Sequence, residues 1–154
     1  MRRRRYVPMA PIEGPSAVID LIASLRSGVL VTVKSDGRPQ LSNVAYLFDP
    51  GSGTARVSIT AERAKYKNLR RDPRASLYAT TADRWAYGVA EGDVTLSPVA
   101  ESVDDAAVTE LVELYRDIQG EHPDWDEYRR AMVDDRRVVV RLHVSKVYGL
   151  APRG

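Results

Sequence analysis

The stretch "RVSITAERAKYKNLRRDPRASL", residues 56–77, changes character twice. It opens as a β-type run ending at Thr60 and closes in another, "ASLYATT", that starts at Ala75. Between them Arg63, Lys65, Lys67, Arg70, Arg71 and Arg74 fall within twelve positions, against only Glu62 and Asp72. The pattern predicts a short helix from about 63 to 71, stopped by Asp72-Pro73, because the residue before a proline is pushed out of helical conformation. Where a strand runs into a helix, free backbone N–H groups and the positive end of the helix dipole gather at one point. Arg63 and Lys65 in the first turn, with Ser58 at the end of the strand, therefore form a candidate anion clamp: a forked guanidinium, a point charge and a hydroxyl. The plainer reading is a solvated basic helix whose other cations pair with an acidic body. Residue chemistry alone leaves both open.

Working outward, "GVLVTVK" reads as a strand, "SDGRP" as a hairpin turn carrying Asp-Gly, and "QLSNVAYLF" as the returning strand. Alternation in that strand places Leu41, Val44 or Tyr46 inside. "DPGSG" is a second turn before "TARVSIT". Beyond the basic segment come "ASLYATT", "WAYGVAEG" and "DVTLSPVA", read as three strands, with Trp85 and Tyr87 on one strand face. Upstream, "PSAVIDLIASLRSG" has apolar residues at helical spacing and a stop at Gly28. Downstream, an amphipathic helix is expected over about 104–118, with Ser102 as its N-cap, followed by a shorter one in "HPDWDEYRRAMVDD". "RRVVVRLHVSKVYGL" closes the chain as a long strand. Six or seven strands in meander order predict a closed antiparallel barrel decorated by helices.

Composition narrows the function classes. The chain has 154 residues, 44% hydrophobic and 29% charged, as expected for one globular domain, assigned to 15–154 after a flexible basic arm over 1–14. No apolar run spans a bilayer, and the basic start lacks an apolar segment behind it, so a cytoplasmic protein is expected. There is no cysteine, and only His122 and His143 could serve a metal, so no metal site is expected. The net charge is +2, yet residues 2–5 contribute +4 and residues 61–74 another +4, leaving −6 on the rest. A mildly acidic body with one concentrated basic segment favours a local anion site over a nucleic-acid surface.

Taken together, "GVLVTVKSDGRPQLSNVAYLFDP", "RVSITAERAKYKNLRRDPRASL", "WAYGVAEGDVTL", "GEHPDWDEYRRAMVDDRRVV" and "VYGL" resemble the split-barrel family related to pyridoxamine 5'-phosphate oxidase. Within it the chain is most similar to actinobacterial oxidoreductases that use the deazaflavin coenzyme F420. The resemblance implies a six-stranded antiparallel split barrel, mainly β with peripheral helices, working as a homodimer with cofactor sites in grooves at the interface. It implies that Ser58, Arg63 and Lys65 hold the cofactor phosphate. Gln40, Leu41, Ser42 and Asn43 would run along the tricyclic ring, with Trp85 and Tyr87 lining the groove, usually from the partner.

Hydride transfer from reduced coenzyme F420 to an unsaturated small-molecule substrate is the leading expectation, since such a cofactor carries the chemistry and the protein aligns it. No Ser-His-Asp arrangement is recognisable and no catalytic residue is assigned. An FMN-binding relative is the second reading, because FMN offers the same phosphate and a similar ring. Basic residues just past Lys65, such as Lys67 or Arg70, would suit the acidic tail that only coenzyme F420 has. A non-catalytic cofactor carrier is the third.

Overall fold

The computed structural model describes residues 11–153, and its strands form one antiparallel sheet in the order β2-β1-β5-β6-β7-β4-β3. The strands are β1 (Ser27–Val33), β2 (Pro39–Ala45), β3 (Leu47–Asp49), β4 (Thr54–Thr60), β5 (Arg74–Thr80), β6 (Tyr87–Leu96) and β7 (Arg137–Leu150). Helices are α1 (Ser16–Ser24), α2 (Ala64–Arg71), α3 (Ala106–Gln119) and α4 (Trp125–Asp134). The order is not a full meander: β1 lies beside β5 and β4 beside β7.

The two edge strands, β2 and β3, are halves of one run of chain interrupted only at Tyr46. "QLSNVAYLF" is therefore not the single strand that its pattern predicts. Its first half pairs with β1 and its second with β4, so the curled sheet is joined across its open edges by one residue. Tyr46 is fully buried there, and its hydroxyl donates to the Ile22 carbonyl at 2.6 Å, anchoring the break to α1. Seven strands are thus six passages of chain.

Other local differences have simple causes. "WAYGVAEG" and "DVTLSPVA" are one strand, β6, continuing through an irregularity at Glu91/Gly92, and Trp85 sits in the turn before it. The helix expected to stop at Gly28 ends at Ser24; Gly28 belongs to β1, where a Cβ would meet the Tyr78 carbonyl oxygen at 2.4 Å. The α3 N-cap is Asp105, not Ser102: its carboxylate accepts from Val108 N at 2.8 Å and also from Glu101 N and Ser102 N. A carboxylate has acceptor sites enough for three donors, and a hydroxyl does not.

Two layers of core result. The inner one fills the curl with Leu30, Phe48, Val57, Ile59, Leu77, Val138, Val140 and Leu142, closed at one end by Val18 and Ile22 of α1. The second lies between α3–α4 and the outer face of the sheet, around Val108, Leu111, Met132 and Val139. Ion pairs Arg141–Glu110 and Arg56–Asp117 pin α3 across β7 and β4. Residues 1–10 of the expected arm lie outside the described residues. Residues 11–14 belong to the fold: Glu13 N donates to the Ser145 carbonyl at 2.9 Å, and Val147 N to the Glu13 carbonyl at 2.8 Å. Among the described residues no helix is long and apolar enough to cross a membrane.

Candidate functional site

The basic helix starts where the sequence places it. Arg63 is the N-cap of α2, with no side-chain cap and no acidic residue in the first turn, which leaves first-turn N–H groups for an anion. The helix is fastened from behind. Asn68, 6% exposed, donates from Nδ2 to Thr32 Oγ1 at 3.1 Å, and Thr32 Oγ1 donates to Gln40 Oε1. Arg71 Nη2 donates to the Val33 carbonyl at 2.8 Å. The last turn of α2 is thereby locked to β1 and β2, and its first turn faces a groove.

That groove has a volume of about 580 Å³ and brings together Asn43, Ser58, Arg63 and Lys65. Its wall opposite the sheet comes from α3 and α4, through Leu111, Tyr115, Tyr128 and Met132. Tyr115, His122, Trp125 and Tyr128 pack with ring centroids 4.9–5.8 Å apart, and this cluster holds the two tyrosines in the wall. His122 Nδ1 accepts from Asp124 N at 2.9 Å at the start of α4. Burial pushes the Tyr128 hydroxyl up to about 12, and it donates to the Leu111 carbonyl.

Cations line the groove without a carboxylate among the lining residues: Arg63, Lys65 and Arg137. Burial first, and then the charges of Arg63 and Arg137, hold the Lys65 amine below its ordinary value. Arg137 was not expected. It opens β7, and the β4–β7 register sets it opposite Thr60, two residues past Ser58. Nothing in its local sequence separates it from Arg136 or Arg141; only the strand pairing does. Its Nε is buried and makes no hydrogen bond among the described residues, but it forms an ion pair with Asp135 at 3.6 Å.

The other expected residues are distributed as follows. Ser42 faces inward and its hydroxyl accepts from Lys65 Nζ at 3.2 Å. Gln40 belongs to the Thr32 network. Leu41, one of the residues alternation placed inside, is 60% exposed on the outer face, because even-numbered residues of β2 point inward. Trp85 is 81% exposed and lines a separate hollow with Leu150 and Pro152. Tyr87 begins β6 and packs on Tyr78 at 5.9 Å. Within one chain, then, Trp85 does not reach the Lys65 groove.

A second groove of about 690 Å³ shares Asn43, Val44 and Ala45 with the first and continues to Val29, Tyr78, Thr80 and Arg84. The β2 edge is therefore the common wall of one long trough with a cationic cluster at one end.

Comparisons with known proteins agree with this architecture. An F420H(2)-dependent biliverdin reductase of Mycobacterium tuberculosis is 28% identical over 123 residues, covering 80% of this chain and 78% of its own. The crystal structure of the conserved hypothetical protein Rv2991 from Mycobacterium tuberculosis superposes with a TM-score of 0.68 at 22% identity, covering 98% of this chain and 90% of that one. A structure described as an F420 reductase gives 0.60 at 21% identity over 80% of this chain and 89% of its own. At such identities the two structures speak for the fold. The model of the pyridoxamine 5'-phosphate oxidase family matches residues 15–151, nearly the whole of the described chain, and the protein belongs to that family of split barrels.

Proposed function

We propose that the protein is an oxidoreductase that binds coenzyme F420 and reduces an unsaturated small molecule. The observation that carries this reading is the cluster of Arg63, Lys65 and Arg137 at an uncapped helix start: a depressed lysine, three cations with one ion pair between them among the described residues (Arg137 to Asp135), and no carboxylate in the groove lining. Such a site carries excess positive charge and fits a phosphate, which would supply acceptors to the Arg63 guanidinium, the Lys65 ammonium and the α2 N–H groups. Bound there, coenzyme F420 supplies two-electron hydride chemistry. The chain's own residues bind and orient: Lys65 and Arg63 hold the phosphate, Ser42 holds Lys65, and Asn43 meets the ring from the β2 edge. The apolar faces of Leu111, Tyr115 and Met132 keep water from that end of the groove.

The name of the relative that is 28% identical favours the deazaflavin over a flavin. FMN is the second reading, favoured by the same phosphate site. Purifying the protein from a host that makes both cofactors, and measuring the absorbance and mass of what co-purifies, tests the two. Coenzyme F420 is expected; FMN alone would overturn the assignment.

The same reading includes a homodimer. One cross-strand row, Asn43–Val29–Tyr78–Val89–Tyr148, crosses the outer face of five strands. Leu41, Tyr148, Leu150 and Trp85 are 60%, 46%, 55% and 81% exposed. An apolar sheet face of this kind suits a second copy, which would set its own Trp85 and Tyr87 against the trough.

A further inference from the structure

The second groove contains one charged residue. Ser27, Gly28, Val29, Asn43, Val44, Ala45, Tyr78 and Thr80 line it with Arg84, so the guanidinium faces a surface of apolar and neutral polar groups. Arg84 makes no ion pair among the described residues. The carboxylate beside it in sequence is already engaged: Asp83 accepts from Thr81 Oγ1 at 2.6 Å and from Trp85 N at 3.0 Å.

The backbone is unusual at the same residue. Arg84 has φ of 65°, the left-handed region that side chains bearing a Cβ avoid, and its N–H is tied to the Thr81 carbonyl at 2.9 Å. The turn from Thr81 to Ala86 is closed by further bonds from Thr80 and Thr81 hydroxyls to the Ala86 carbonyl. A tightly bonded turn thus spends backbone strain to hold an arginine at the mouth of a groove, at a position where glycine or asparagine would fold more easily. Strain of this kind collects where a side chain is being aimed.

The geometry points to Arg84 as the residue that recognises an anionic group of the substrate, a carboxylate on a planar unsaturated molecule lying against Tyr78 and the β2 edge. This assignment rests on the reading of the trough as a cofactor groove. The Lys65 cluster takes the cofactor phosphate at one end, and the forked guanidinium of Arg84 meets a carboxylate at the other, with Asn43 to Ala45 between them.

The test uses a matched pair of probes, trans-cinnamate and trans-cinnamamide, titrated calorimetrically into wild-type protein with and without coenzyme F420. Cinnamate is expected to bind roughly tenfold or more tightly than the amide, and Arg84→Gln to abolish that difference. Coenzyme F420 affinity and the mass by light scattering are expected to stay unchanged in the variant. Arg84→Gly, which relieves the left-handed backbone, gives the same reading should the glutamine variant fold poorly. Equal binding of acid and amide by the wild type, or a preference that survives both variants, would overturn the assignment. So would a loss of coenzyme F420 affinity in Arg84→Gln, which would give Arg84 to the cofactor tail, or a change of mass, which would give it to a subunit contact. If coenzyme F420 itself fails to bind, the cofactor reading falls. The acid–amide difference on the cofactor-free protein still decides Arg84.

Discussion

Lys65 Nζ donates to Ser42 Oγ at 3.2 Å, joining residues 23 positions apart: the first turn of α2 and the middle of β2. The bond aims the ammonium along the groove wall and leaves it two further donors for a ligand. It also explains why one basic residue of the segment behaves differently from its neighbours. Lys65 is half-buried and its amine is held below the ordinary value, whereas Lys67 and Arg70 are exposed.

Lys65→Met and Arg63→Ala are expected to weaken coenzyme F420 binding by about 1.5–3 kcal/mol, roughly ten- to a hundredfold, as loss of a charge-assisted contact does. Lys67→Ala and Arg70→Ala should cost less than about 1 kcal/mol. Calorimetric titration of the four variants decides; small equal losses would mean a diffuse basic face and no clamp.

Asn68→Ala is expected to destabilise the fold by about 1–3 kcal/mol, because it leaves buried Thr32 without its Nδ2 donor and Arg71 without the Asn68 carbonyl. Urea denaturation measures this. A loss within error would show that the network contributes nothing to anchoring α2.

Asp72 ends α2 and accepts from Arg74, side chain first and then backbone, which lowers its carboxyl from the ordinary 3.8 to about 2. A depressed carboxyl stabilises the fold fully above its unfolded value and loses that contribution as pH falls through the folded one. The stability difference between wild type and Asp72→Asn should therefore be constant above pH 3.8 and shrink toward pH 2. Denaturation from pH 2 to 6 checks it; a difference that grows toward acid would reverse the assignment.

Gly149→Ala should cost about 2 kcal/mol or more. Its φ is 149°, and a Cβ would stand 2.2 Å from the Tyr87 carbonyl oxygen, so backbone of β6 or β7 must move. A melting temperature equal to that of wild type would contradict the close approach of these strands.

Light scattering at micromolar concentration should give a dimer mass, and Leu41→Asp with Tyr148→Asp should give a monomer, since each puts a charge on the exposed apolar face. A wild-type monomer that still binds cofactor tightly would sink the dimer.

What the amino-acid sequence determined by itself was local. Asp36-Gly37 made a turn, Asp72-Pro73 stopped a helix, the stripe of Val108, Leu111 and Val112 turned α3 inward, and Arg63 and Lys65 fell in one helical turn because they are two residues apart. Each of these depends on forces acting over a few positions, which a pattern of residue types records directly. Tertiary structure decided the rest. Which arginine joined Lys65 was set by the β4–β7 register, which places Arg137 beside the groove while Arg141 goes to Glu110 on α3. Whether Leu41 or Ser42 faced inward turned on a strand phase that apolar content alone left ambiguous, since a shift of one residue exchanges the two faces. Trp85 left the strand because the Thr81–Ala86 turn closed on its own hydroxyl bonds, and Arg84 met β2 only because β5 pairs with β1 through partners 43 to 49 positions apart. Cross-strand pairing brings together residues that share no local signal, so the chemistry of the trough exists only once the sheet has curled.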